Sequence, residues 1–210
     1  MKQKLNFSMK IFSIALMIGI LTLGGANKAK AQFSYGLKVN AGIACQSDLL
    51  KIADNCDIRF SPSVGLLTKY QFAEGFALKS GIDYQQKGRN FTENNQDVSN
   101  KLHYLTVPLK AEFSAGEKAG FKKGQRVFFA VGPYLSYLLD AKAEINSVSS
   151  DLDTKNFDAG LGFEMGMEFP VFNQKALQLG LNYDMGFVEV YNSTPDLHNK
   201  MTSISLGLLF

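Results

Sequence analysis

An alternation of period two recurs in eight segments between Phe33 and Phe210, and no other feature constrains this chain as much. Successive side chains of a strand point to opposite faces, so each segment reads as a strand with two different environments. In the first, Phe33, Tyr35, Leu37, Val39, Ala41 and Ile43 alternate with Ser34, Gly36, Lys38, Asn40 and Gly42. The second sets Ile58, Phe60, Val64, Leu66, Tyr70 and Phe72 against Arg59, Ser61, Ser63, Gly65, Lys69 and Gln71. Later segments begin near Phe76, Leu105, Val127, Phe157, Leu177 and Ser203 and repeat the scheme. Most are about ten residues or longer, the length at which a tilted strand crosses a membrane. The expected fold is therefore all-β, an eight-stranded antiparallel up-and-down transmembrane barrel over residues 32–210. An even strand count lets the sheet close with both ends on one side.

Connection lengths follow the same scheme. Residues 73–75 and 170–175 are short, whereas 46–56, 88–100, 140–156 and 188–199 are longer and polar. With the N-terminus in the periplasm, the long connections face outward from the cell. The connection at 114–125 is long on the periplasmic side and breaks the pattern.

Volume decides which face meets lipid. The interior of an eight-stranded barrel is just wide enough for side chains to fill. The Leu, Phe, Tyr, Ile and Met face would overpack it, while the Gly, Ser and Ala face with scattered charges suits it. Aromatic placement agrees. Phe33, Tyr35, Tyr70, Phe72, Phe76, Phe113, Phe169 and Phe210 lie at the periplasmic strand ends, and Tyr84, Tyr137, Phe157, Tyr183 and Phe187 lie toward the other ends. Two such girdles mark membrane interfaces, although Phe129 and Phe163 sit mid-strand. The inward charges are Lys38, Arg59, Lys69, Lys79, Asp83, Lys110, Glu112, Asp158, Glu164, Glu168 and Asp184. Buried charges are tolerable when paired, so the expectation is an ion-paired plug and not an open pore. Pro108 and Pro133 fall inside strands, where Pro removes a ladder hydrogen bond, and are expected at bulges or bends.

Residues 1–31 read as a cleaved secretory signal peptide. Lys2, Lys4 and Lys10 precede an apolar run from Ile11 to about Leu23, and the segment closes on Ala29-Lys30-Ala31. The run is short for a membrane helix, which needs about 20 residues; an uncleaved anchor is the competing reading. These 31 residues hold five lysines and no acid, leaving 17 basic and 19 acidic residues of the chain's 22 and 19. The pI of 8.7 thus belongs largely to the export segment. No basic stripe remains for nucleic acid. Cys45 and Cys56, close together in an exported chain, suggest a disulfide, with two free thiols as the alternative. The loop so closed would contribute roughly 3 kcal/mol.

His103 and His198 both fall near the outer rim, as solvated loop residues, and with Ser99 or Ser193 could only be imagined as a lipid hydrolase triad. Asp151 and Asp153 complete no calcium loop, and two Cys with two distant His make no zinc site. No cofactor or metal is expected, and no catalytic residue.

The segment from His103 to Phe113 reads HYLTVPLKAEF. Its Tyr-Leu-x-Val-Pro-Leu core resembles the motif of the PorT-like outer-membrane β-barrel family. DYQQKGRNF from Asp83, GPYLSYLL from Gly132 and FDAGLGFEMGMEF from Phe157 fit the same resemblance. It implies the barrel fold and, through one family member, a link to protein secretion. The end on Phe210 resembles the terminal strand that the barrel-assembly machinery reads in outer-membrane proteins. The expected role is a non-enzymatic structural or interaction protein of the cell envelope. Partners would be outer-membrane lipid, the assembly machinery, and envelope proteins meeting the outer loops or residues 114–125. A secretion component, a lipid-modifying enzyme and a small channel are the alternatives.

Overall fold

The computed structural model of the protein describes residues 32–49, 57–93, 95–145, 148–172, 175–192 and 196–210. The expected signal segment 1–31, Cys56 and Ser193 lie outside the described residues. Among the described residues, Cys45 is disulfide-bonded.

The long strands are β1 (Gln32–Ser47), β2 (Arg59–Ala73), β3 (Phe76–Glu93), β4 (Gln96–Ala115) and β5 (Arg126–Ile145). A short β6 (Val148–Asp151) follows, then β7 (Phe157–Pro170), β8 (Ala176–Glu189) and β9 (His198–Leu209). Each long strand pairs antiparallel with its neighbours in chain order, β5 pairs β7, and β1 pairs β9. Eight strands thus form a closed barrel. β6 pairs only the far end of β5 and adds a flap outside the closed sheet.

The stagger of this sheet can be read from its register. Paired residues lead from Phe33 through Tyr70, Leu78, Ala111, Val131, Phe163, Tyr183 and Thr202, and return to β1 at Ile43. That shift of ten residues, from 33 to 43, fixes the tilt, typically about 35–45° to the barrel axis. The tilt makes rows of paired side chains climb diagonally round the outside.

Side-chain direction follows the alternation. Phe33, Tyr35, Leu37, Val39 and Ile43 of β1 are exposed, and Lys38, Asn40 and Ala44 are buried. The same holds on β3, where Ile82 and Tyr84 point out and Lys79, Asp83 and Gln85 point in. Aromatic contacts sit at both ends of the apolar band. Tyr35 stacks on Phe210 and Phe76 meets Phe113 edge-on at the rim that carries both chain ends, while Tyr137 meets Phe157 at the opposite rim.

Three expectations are corrected. Residues 88–100 are not a loop: β3 continues to Glu93 and β4 begins at Gln96. Residues 140–156 likewise hold the end of β5 and all of β6. A polar stretch can still pair as a ribbon once both its faces may meet water or a cap. Pro108 and Pro133 mark no bulge, because the β4–β5 register is the same on either side of them. It shifts instead at His103/Tyr104, where β5 carries one extra residue, Leu139. The long connection at 114–125 contains one 3-10 turn, Glu117–Ala119, closed by Gly120 in the left-handed region at φ 88°.

Candidate functional site

The barrel interior concentrates most of the buried charged and polar residues, in three layers. Nearest the rim of the chain ends, Lys69 lies 2.7 Å from Glu112 and 2.8 Å from Glu168. Lys79 lies 2.7 Å from Glu164 and 3.5 Å from Glu112, and Lys110 is 3.5 Å from the other Glu164 oxygen. Gln178 ties the ladder together, donating to Glu168 at 2.8 Å and accepting from Lys79 at 3.3 Å. The Lys79 ammonium also lies 4.4 Å from the Phe128 ring centroid. Glu112 is almost fully buried, yet neither oxygen receives a well-directed hydrogen bond; two ammonium charges hold it. A buried carboxylate held mainly by charge is expensive to leave unpaired.

The middle layer is tighter. Lys38 donates to Asp83 at 2.9 Å, Asn40 bonds Ser63, and Thr106 bridges Gln85 (3.1 Å) and Ser136 (2.8 Å). A cavity of about 10 Å³ remains, lined by Lys38, Asp83, Lys110, Tyr134 and Asp184 among others. That is room for roughly one water molecule. Gly162 helps close the space: a Cβ there would lie 2.8 Å from both Lys110 Cε and Asp184 Oδ1. Inward glycines thus let long side chains from opposite strands cross the lumen.

The third layer lies toward the hairpin rim. Asp158 accepts from Lys87 (3.0 Å), Asn199 (3.2 Å) and Tyr134 (3.4 Å). Lys87 also lies over the rings of Tyr134 and Tyr104. Above it, Tyr191 spans the mouth. Its hydroxyl accepts from Asn100 on β4 at 2.7 Å and donates to Gln46 on β1 at 2.8 Å. Leu102, Tyr104, Val190 and Tyr191 form a buried apolar cluster, packed by Leu138, Ala141, Leu152 and Leu197. The segment carrying Tyr191 is held by a bridge to Thr154 and by backbone bonds from Lys155 to Val190 and from Val190 to Leu197.

The structure therefore brings together Lys38, Lys69, Lys79, Asp83, Lys110, Glu112, Asp158, Glu164 and Glu168. Asp184 lines the middle cavity without an ion pair within 4 Å among the described residues. Arg59 stands apart at the hairpin rim, donating to Ser99 at 2.5 Å. Lys87 is a member that the reading of the sequence missed, although it continues the inward parity of Asp83 and Gln85. Neither histidine lies in a loop. His103, on β4, shares a hydrogen bond with Tyr84 at 2.5 Å and stacks on its ring. His198 opens β9, buried and paired with Ser47 and Glu189. Ser99 bonds Asn90 and Arg59, and its strand partners are Asn90 and Glu144, so Ser99 and His103 do not assemble into a triad.

The family model described as outer membrane protein beta-barrel domain matches residues 26–192. The chain belongs to that family. No curated protein matches the sequence. Among solved structures, the outer membrane protein OprG from Pseudomonas aeruginosa superposes with a TM-score of 0.53 at 14% identity, over 85% of this chain and 95% of that one. Neisserial surface protein A superposes at 0.50 and 15% identity, over 83% and 96%. At such identities the likeness is one of fold. For a member of this family, the exposed Phe, Leu and Tyr band is the surface that meets the outer membrane.

Proposed function

We propose that this protein is a non-enzymatic, non-conducting barrel of the outer membrane that meets other envelope components through its rims. The observation that carries the reading is the filled lumen: an ionic ladder, a cavity of about 10 Å³ and an apolar cap succeed one another along the axis. With nothing to pass through, the parts left to act are those beyond the membrane band. These are the β3–β4 ribbon, the β5–β6 flap and the turn at 114–125. In this reading residues 1–31 are removed on export, both ends of the chain face the periplasm and the ribbons face outward. Cys45 would pair with Cys56 on the first outer connection. Phe210, whose N–H donates to the Tyr35 carbonyl at 2.7 Å, would close the barrel after recognition by the assembly machinery.

Two measurements test this. Purified barrel in planar bilayers should show no steady, large conductance, and such a conductance would sink the plugged lumen. Photo-crosslinkers at Thr92, Asp97 and Val148 in intact envelopes should capture protein neighbours, whereas Val39 and Leu206 in the lipid band should not. Equal capture at both sets would remove the ribbons' special status.

A PorT-like role in protein secretion is the second reading, supported by the Tyr104–Leu109 motif. In the barrel, Tyr104 serves the outer cap, and the Pro108 carbonyl accepts from Ser80 at 2.8 Å. These are contacts of the fold. Loss of secreted proteins on deletion of the gene, restored by the wild-type chain, is the outcome this reading requires.

A further inference from the structure

The long turn between β4 and β5 joins two features that touch. On the outer surface, an apolar groove of about 910 Å³ starts at Glu74, Gly75 and Phe76 and runs across the strands. Its wall follows one diagonal row of paired residues, Phe76, Phe113, Phe129, Met165, Leu181 and Ile204. Phe76 is the first residue of β3, at the rim, and Ile204 lies well inside β9, so the row climbs from the membrane surface inward. Five strand spacings of about 4.8 Å make about 24 Å, and at a tilt of about 45° that rises about 17 Å, close to the roughly 15 Å depth of one leaflet.

At its lower end the groove opens into a polar pocket of about 610 Å³, formed by the turn itself. Glu74, Gly75, Ser114 and Ala115 line both. Lys118 and Arg126 line this pocket with Glu74 and Glu117, and the turn adds Lys122 and Lys123 with no further acid. Lys118 reaches Glu74 at 2.7 Å, with both side chains largely in solvent. Glu117 accepts from the Gly124 N–H and so folds the basic turn back under the groove.

We propose that groove and turn together bind one anionic phospholipid of the adjacent leaflet, its acyl chain along the Phe76–Ile204 row and its phosphate headgroup among the turn lysines. A neutral lipid would fill the groove but gain nothing from the turn. Lysines near a membrane surface favour acidic headgroups.

The test is native mass spectrometry of the full barrel released from micelles doped with phosphatidylglycerol or phosphatidylcholine. Phosphatidylglycerol should be retained about tenfold more than phosphatidylcholine. The triple variant Lys118→Gln, Lys122→Gln, Lys123→Gln should abolish that preference, and Ala115→Trp, which obstructs the groove mouth, should lower retention of both lipids. Heat-modified gel mobility verifies that each variant is folded. Glycerol phosphate in excess should leave phosphatidylglycerol retention unchanged; full competition would mean a site for phosphate alone and would overturn the proposal. Equal retention of the two lipids would also overturn it. So would a protein dimer that Ala115→Trp disperses, since a second copy would then occupy the groove.

Discussion

The two ends of the lumen are closed by different physics. Near the chain ends, Lys69, Lys79 and Lys110 interlock with Glu112, Glu164 and Glu168, each charge answered by one from another strand. At the hairpin rim the seal is Leu102, Tyr104, Val190 and Tyr191, with two hydrogen bonds holding the Tyr191 hydroxyl. The difference tracks what lies outside the wall. Where the outer face of a strand must be apolar to meet lipid, the inner face is left with the polar residues. Where the ribbon rises beyond the lipid, the outer face turns polar and the apolar side chains move inside. β4 shows the change within one strand: Lys101 and His103 point out and Leu102 and Tyr104 point in. From the very next residue, Leu105 and Val107 point out and Thr106 and Lys110 point in.

The contrast predicts unequal sensitivity. Glu164→Leu removes the nearer acid of Lys79 and leaves Lys110 without an acid within 4 Å among the described residues, and should destabilise the barrel by about 3–5 kcal/mol, the usual effect of leaving a buried charge unpaired. Urea unfolding in detergent, followed by tryptophan-free far-UV signal, measures it. The double variant Lys79→Met, Glu164→Leu should recover part of that loss. If it falls further than the single variant, the ladder is not a set of compensating charges.

Tyr191→Phe sharpens the other half. It keeps the ring but strands Asn100 and Gln46 in a buried site, an effect of about 1–3 kcal/mol per unsatisfied group. Tyr191→Ala should loosen the cap further and still leave the barrel closed to ions, because the Lys38–Asp83 layer and the ladder lie beneath it. Channel recordings of the Ala variant decide the point. A steady current would show the cap alone seals the lumen and the ionic layers do not.

Much of the fold is legible in the sequence because the membrane forces it. Phe33 to Ile43 and Ile204 to Phe210 had to present one apolar face, and period two then placed Lys38, Ser203 and Ser205 inside. The alternation failed as a guide where the solvent outside changed. Residues 88–100 read as loop because their apolar positions, Val98 among them, are sparse and turned inward, against the trend of the lower strand. Lys87 was lost at the same border. Phe128 and Tyr134 are also buried inside, aromatic residues that a small and polar lumen gives no cause to expect. In the structure they serve as faces for the Lys79 and Lys87 ammonium groups. Which acid meets which lysine depends on strands far apart in the chain, such as Lys69 with Glu168, and alternation carries no record of that pairing.

The smallest effect belongs to charges that share neither environment. Lys101 pairs with Glu144 on the outer face of the ribbon, with about a third of each side chain in water. Water and salt screen such a pair, so Lys101→Gln should lower stability by only about 0.2–1 kcal/mol. The difference from wild type should shrink further in 1 M salt, where the Debye length is about 3 Å. The Glu164→Leu deficit should persist in the same buffer, since its environment excludes mobile ions. Thermal melts of both variants at low and high salt therefore separate the two kinds of charge. A Lys101→Gln loss as large as that of Glu164→Leu, and as indifferent to salt, would mean that the ribbon above the membrane is as dry as the lumen below it.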